Sequence, residues 1–180
     1  MDQVQTVRAG KKPDIVPANF QLLCKLWRSY GTGKLLLLRG IRQDTAFFSL
    51  GGPCGPEGIA FCQQALETGQ LEFHPEVVPL PGSRALLTEQ LVRAAQRLPM
   101  PAFSDNTIYQ LLAPGCLKDF SLSLSQQRIL SRLSPRFTRA GLENHGSPSD
   151  VQEVIRLLLA FQVISEEATP RSPIGVGKTI

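Results

Sequence analysis

The sequence has no long apolar run, and this absence excludes a membrane-spanning protein. Its longest run of aliphatic residues, at positions 35–38, is enclosed by Lys34 and Arg39 and is far shorter than the roughly 18 residues that cross a bilayer. The basic residues near the N-terminus are not followed by the apolar stretch of a secretory signal. We therefore expect a cytoplasmic chain that does not bind membranes.

Metal-binding patterns are also missing. The four cysteines, at positions 24, 54, 62 and 116, form no C-x2-C pair, and the only two histidines, His74 and His145, are far apart in the sequence. Zinc sites need cysteine and histidine ligands at short spacings. We predict no metal, no cofactor and reduced cysteines, with Cys24 and Cys62 acting as small apolar residues.

The sequence also lacks a large excess of either positive or negative charge. The 19 Lys and Arg residues exceed the 15 Asp and Glu residues by only 4, whereas nucleic-acid-binding domains usually concentrate more positive charge on one face. Hydrophobic residues make up 42% of the chain and charged residues 19%, which is typical of a globular protein. The composition fits one domain or two small ones.

Residues 18–99 predict a first unit in which helices and strands follow each other as α-β-β-α-β-α. Helical spacing of apolar residues predicts helices at 18–30 and 56–69 and a third from Ser83 to before Pro99. Residues 34–39 and 45–50 predict an antiparallel hairpin with Phe47 and Phe48 as its bulk, and alternation predicts a strand at 70–77. No strand is expected between Leu50 and the second helix.

Residues 121–166 predict a second unit after a connecting segment at 100–120, which holds one short helix around 107–112. Three helices are expected at 122–133, capped by Ser125, within 135–145, and after Ser147 or Ser149. A strand is expected at 163–164. This order is typical of a winged helix, and we predict a flexible leader at 1–17 and a flexible tail at 167–180.

Together these patterns predict an α+β fold. A small antiparallel sheet with helices on one face is expected to precede a C-terminal three-helix winged-helix-like unit. The last helix is apolar on more than one face, at Leu157, Leu158 and Phe161. We expect its second face to pack on the first unit or on a second copy, so the sequence also permits a homodimer.

Two motifs carry candidate chemistry. Gly177-Lys178-Thr179 resembles the end of a phosphate-binding loop, but Ser172 stands where that motif needs glycine, so we predict no nucleotide site.

Cys54 precedes a predicted helix, and the hypothesis that the protein is an enzyme rests on a lowered pKa of this thiol. A nucleophilic thiol needs a base, and His74 alone is available in that unit, so a glycine-rich turn is favoured and no enzyme is predicted.

An arginine run offers the alternative hypothesis of nucleic-acid binding. Arg128, Arg132, Arg136 and Arg139 are expected to form a basic face on the second unit. The helix that would enter a DNA groove is largely apolar, whereas base recognition needs several exposed polar side chains. A winged-helix transcriptional regulator is therefore disfavoured against a protein-binding role.

A set of mostly glycine and apolar positions recurs along the first unit, namely Phe20-Gln21-Leu22-Leu23, Trp27, Gly31-Thr32-Gly33-Lys34-Leu35, Phe47-Phe48, Gly58-Ile59-Ala60-Phe61, Gly69-Gln70-Leu71-Glu72-Phe73 and the helix at 86–97. In these positions residues 18–99 resemble the N-terminal domain of PatA-type bacterial response regulators, and residues 126–164 look like the small helical segment that often follows it. The sequence departs from the family after Leu50, where the family usually has another strand. The resemblance implies protein contacts in signalling, without catalysis.

The leading prediction is therefore a non-enzymatic bacterial signalling adaptor that binds another signalling protein. Its physical basis is an ample apolar core, no assembled polar site, and a sheet edge that a partner strand or helix can cover. The surface expected to bind the partner is the strand at 70–77 and the helix after Ser83. Its named residues are Leu71, Glu72, Phe73, His74, Arg84 and Arg93.

Overall fold

The computed structural model describes residues 14–99 and 101–167. This part of the chain forms two compact units: the first contains residues 14–99 and Lys118–Ser121, and the second contains residues 101–117 and 122–167. Most of the predicted leader and tail, and Gly177-Lys178-Thr179, lie outside the described residues. None of the described helices is long and apolar enough to pass through a bilayer.

The first unit is an α+β fold built on a four-stranded antiparallel sheet, as the sequence predicts. Its elements are α1 (Pro17–Ser29), β1 (Gly33–Arg39), β2 (Arg42–Ser49), β3 (Gly52–Pro53), α2 (Gly55–Glu67), β4 (Gln70–Pro75) and α3 (Arg84–Ala95). The strand order is β3-β2-β1-β4. The short strand β3 corrects the expectation that no strand follows Leu50.

The two faces of this sheet differ because successive side chains of a strand point in opposite directions. Leu35, Leu37 and Phe48 are fully buried, on the face where α1 contacts β4 and α2 contacts β2. Phe47 is 40% exposed, so the expectation that it shares the core with Phe48 is wrong. The alternation along β2 places the two neighbouring phenylalanines on opposite faces.

Tight turns set the register of the strands. Gly40 has φ 60° and opens a two-residue turn between β1 and β2, so β2 begins at Arg42 rather than at the predicted residue 45. A second two-residue turn, Leu50-Gly51, joins β2 to β3, and both of its residues have positive φ. These turns bring Arg39 opposite Arg42 and Ser49 opposite Gly52.

The second unit combines helices with a three-stranded antiparallel sheet of order β6-β5-β7. Its strands are β5 (Ile108–Leu111), β6 (Arg136–Thr138) and β7 (Ile164–Glu166), and its α-helices are α4 (Leu124–Leu130), α5 (Arg139–Glu143) and α6 (Pro148–Ala160). A 3-10 helix occupies Pro114–Asp119. Leu157, Leu158 and Phe161 are buried within one chain; pairing with a second copy stays a prediction.

Three sequence predictions for this region need correction. Residues 107–112 contain strand β5 rather than a helix, because Tyr109 is buried between exposed Ile108 and Gln110 in the period of a strand. The segment 135–145 contains β6 as well as the short α5. Ser123, not Ser125, caps α4 through a capping box with Gln126.

Candidate functional site

The β4 edge of the first sheet is closed at two positions, by a side chain at Leu71 and by the proline at position 75. Leu71 directs its N–H away from β1 and donates it to Asn19 Oδ1 at 3.1 Å. Asn19 is only 3% exposed, and its amide group donates to the Ala65 and Gly69 carbonyls at 2.7 and 3.0 Å. Pro75 has no N–H to offer. Leu71 and Pro75 therefore offer no free N–H to another strand, whereas the outward groups of Phe73 form no hydrogen bond with the described residues.

The β2 edge is open in its first half, at Gln43 and Thr45. Strand β3 pairs only with Phe48 and Ser49, and the Cys54 N–H donates to the Phe47 carbonyl at 2.9 Å. Since β2 residues alternate in hydrogen-bonding direction, Gln43 and Thr45 also direct their N–H and C=O groups outward. None of these outward N–H and C=O groups of Gln43 and Thr45 forms a hydrogen bond with the described residues.

A groove of about 360 Å³ lies beside this open edge. Phe47 and Leu80 are both partly exposed there and give the groove apolar surface. Gly58 lets α2 come close to β3, because a Cβ atom at Gly58 would lie 3.1 Å from Pro53 Cβ. The residues that line the groove are Thr45, Ala46, Phe47, Cys54, Gly55, Glu57, Gly58, Leu80 and Pro81.

The groove contains one carboxylate, from Glu57 in the first turn of α2. Its Oε2 atom lies over Gly55, 3.0 Å from the position that a Cβ would take there. Glu57 is exposed and forms no ion pair with the described residues. The groove therefore presents backbone hydrogen-bonding groups, apolar side chains and one negative charge.

Cys54 does not have the properties of an activated thiol. Its Sγ atom lies 3.7 Å from the Leu80 carbonyl oxygen, to which the thiol donates, and burial raises the pKa of the Cys54 thiol. This direction is opposite to the lowered pKa that the enzyme hypothesis requires of Cys54. Cys54 instead occupies the N-cap position of α2, and its backbone forms an isolated antiparallel β-bridge with Gly82.

The predicted partner residues of β4 fall on both faces of the sheet. Leu71 is buried, and Phe73, opposite Leu35, lies on the same helix-facing side. Glu72 and His74 lie on the other face, with Oε2 of Glu72 3.9 Å from Nε2 of His74. Only the two polar residues of this group are therefore available on a common surface.

Arg84 lies inside a cluster that holds the first unit together. Its guanidinium carbon is 4.1 Å from the centre of the Trp27 ring and 4.2 Å from that of Tyr30. The same group forms a 2.8 Å ion pair with Asp119 and donates to the Trp27 carbonyl. Arg93 is exposed and contacts Glu89 at 3.8 Å. The two arginines are nine positions apart in the helix, which is about two and a half turns, so they lie on opposite sides of α3.

Two of the four arginines in the predicted basic run form ion pairs with carboxylates of the second unit. Arg136 pairs with Glu167 at 2.5 Å, and Arg139 pairs with Glu143 at 2.9 Å and Asp105 at 3.5 Å. Arg128 and Arg132 are exposed. The four arginines consequently do not form one free basic face of the kind that phosphate contacts require.

Sequence reasoning missed the β2 edge, although one signal pointed to it. Residues 42–48 place polar residues at 43 and 45 and buried Ala46 and Phe48 on the alternate positions. The Gly51-Gly52-Pro53 sequence allows only a short strand to follow, so a strand as long as β2 cannot be covered by it. The place of Glu57 in the groove has no comparable signal, since acidic residues are common in first turns of helices.

Among the residues that the structure describes, no group of three or more His, Cys, Asp or Glu side chains is placed to hold a metal ion. Comparison of the chain with known proteins finds no matching family model, no matching curated protein and no matching solved structure.

Proposed function

We propose that the first unit is a protein-interaction module that binds an extended segment of a partner protein as an additional strand along β2. The observation that carries this proposal is the outward-facing, unbonded backbone of Gln43 and Thr45, next to an apolar groove. Strand addition uses such backbone groups for affinity and neighbouring pockets for selectivity.

The groove supplies apolar contact surface, which backbone hydrogen bonds alone do not provide. A typical hydrogen bond contributes a net of about 0.5–1.5 kcal/mol, because each one replaces hydrogen bonds to water. A few strand hydrogen bonds must also offset the entropy lost when a flexible peptide is ordered. The partly exposed Phe47 and Leu80 side chains provide apolar surface for this purpose, so the two features work as one site.

In this proposal the whole chain acts as a non-enzymatic adaptor in bacterial signalling, as the resemblance to PatA-type response regulators implies. The second unit is proposed to be winged-helix-like. Its three helices α4, α5 and α6, with β6 before α5 and β7 after α6, support that assignment. The occupied arginines support a protein-binding role for the chain rather than nucleic-acid recognition.

A defined peptide probe tests the proposal. A phage-displayed library of random 12-residue peptides is selected on the full chain, and the strongest binder is synthesised. We expect it to bind the Thr45→Val variant like the unmodified chain, and to bind Thr45→Pro at least about tenfold more weakly, because proline removes the outward N–H. Thr45→Val is the matched control, since it keeps the backbone and the side-chain shape.

A second test modifies the peptide instead of the protein, so its result does not depend on whether Thr45→Pro folds. Methylation of alternate backbone nitrogens of the peptide removes the donors of one edge, so one of the two alternate methylation patterns is expected to abolish binding and the other to preserve it. If both methylated peptides bind as well as the parent, or if Thr45→Pro binds it with full affinity, the partner does not add a strand to β2.

A further inference from the structure

We infer that Glu57 selects a basic residue in the bound segment, so that the groove accepts extended peptides in which a Lys or Arg stands next to an apolar or β-branched residue. This inference rests on the proposed strand addition at β2. It adds the chemical class of the ligand and a residue that determines specificity.

The charge of the groove favours a basic side chain. Glu57 is the one charged residue among those that line it, and the Cys54 thiol stays neutral because burial raises its pKa. The first turn of α2 contributes only about half a positive charge, which is less than the full negative charge of the carboxylate. A cation from the partner would supply the ion pair that the described residues do not provide.

The geometry of a strand predicts which position is basic. Ala46 is buried on the face where α2 contacts β2, and its small side chain leaves room opposite it for a long one. A peptide residue opposite Ala46 points to the α2 side of the sheet, toward Glu57. Its neighbour opposite Thr45 points to the other face, where β-branched residues pair well. The paired segment ends opposite Ala46, because the Phe47 carbonyl already accepts the Cys54 N–H.

A second copy of the chain fits this edge less well than a lone peptide. Antiparallel pairing of two β2 strands centred on Thr45 would place the partner's Asp44 opposite Ala46, near the negative Glu57. It would also bring the partner's short Gly52–Pro53 strand against Arg42, since β3 lies on the same edge. A shift toward the hairpin turn would place two Asp44 residues opposite each other, and like charges in that position are destabilising.

Charge reversal tests the inference. The same random 12-residue peptide library is selected in parallel on the full chain with Glu57, with Glu57→Gln and with Glu57→Lys. The control Glu89→Lys makes the same change in net charge on an exposed residue of α3. We expect Lys or Arg to be enriched at one position by the unmodified chain and by Glu89→Lys, no charge preference with Glu57→Gln, and Asp or Glu at that position with Glu57→Lys.

Affinities measured with the selected basic peptide give the size of the effect. Glu57→Gln is expected to weaken binding by about 5- to 30-fold at low salt, with a smaller difference at high salt, as for a partly exposed ion pair. Both Glu57 variants are first compared with the unmodified chain by circular dichroism. Glu57→Gln keeps the test valid even where Glu57→Lys weakens the start of α2.

The outcomes separate this inference from the proposed function. Peptides that bind through Thr45 but show the same charge preference on all four proteins would overturn the role of Glu57 and leave strand addition intact. Failure to select any peptide whose binding depends on Thr45 would overturn both. A dimer that light scattering detects for the full chain, and that Thr45→Pro dissociates, would show that a second copy occupies the edge and would also overturn both.

Discussion

The two edges of the first sheet end in different ways. On the β4 side, the buried Asn19 accepts the outward N–H of Leu71 and ties α1 to the Ala65 and Gly69 carbonyls. On the β2 side, the outward groups of Gln43 and Thr45 face water within the described chain. Proteins usually protect exposed edges against pairing. The open positions of β2 are Gln43 and Thr45, whereas on β4 Leu71 is bonded to Asn19 and Pro75 has no N–H, and β2 is the edge at which we propose strand addition.

The largest expected effect follows from opening the closed edge. Asn19→Ala removes three hydrogen bonds, two of them buried and one part-buried, and leaves their backbone partners unsatisfied, so we expect a loss of about 3 kcal/mol in the free energy of unfolding. Gln43→Ala, an exposed substitution on the open edge, is expected to cost less than about 0.5 kcal/mol. Urea unfolding monitored by tryptophan fluorescence measures both, and equal losses would remove the distinction between the edges.

The next effect concerns the α1 side of the unit, where Arg84 contacts Trp27. Arg84 has a side chain only 14% exposed, and Arg84→Ala removes its aromatic contacts and its ion pair with Asp119. We expect a loss of about 2 kcal/mol in unfolding free energy. Arg93→Ala, on the exposed side of the same helix, is expected to change it by less than about 0.5 kcal/mol. The melting temperatures of the two variants provide the comparison.

A third prediction uses the buried thiols of the two helices. Burial raises the pKa of Cys24 and of Cys62, so these thiols stay protonated in the folded chain while those of the unfolded chain ionise above about pH 8.5. The unfolded state then binds fewer protons, and stability falls as pH rises, by up to about 1.4 kcal/mol per pH unit for each thiol. Below about pH 8 this contribution is fully present.

The measurement for the thiols is the unfolding free energy between pH 8 and pH 10. The Cys24→Ala/Cys62→Ala variant is the control, because it lacks both groups and is expected to show a smaller decrease over this range. An unchanged decrease in the variant would assign the pH dependence to other groups.

The smallest effect is expected at the turn that ends β2. Leu50 has φ 50° and is 66% exposed, in a two-residue turn where asparagine and glycine are preferred. Leu50→Asn is expected to raise the unfolding free energy by about 0.5 kcal/mol, because asparagine adopts positive φ at lower cost. Leu112→Asn, at another exposed leucine, is the control and should give no gain. Thermal unfolding of both variants tests the prediction.

Local sequence patterns predicted the order of elements in the first unit, because helical spacing and alternation are properties of neighbouring residues. They did not predict which edge is closed, since this depends on contact between Asn19 and Leu71, which are 52 positions apart. Arg84 was expected at a binding surface for the same reason, as its contacts with Trp27 and Asp119 are distant in sequence. Tyr109 was assigned to a helix because a four-residue strand gives little periodic signal.

Amide hydrogen exchange followed by NMR tests the difference between the edges most directly. In the free chain, the N–H of Thr45 should exchange at least about 100-fold faster than that of Leu71, which is buried and bonded to Asn19. Addition of the selected peptide should slow exchange at Thr45 and leave Leu71 unchanged. Equal protection of the two amides in the free chain, or no slowing at Thr45 with bound peptide, would contradict the assignment of β2 as the binding edge.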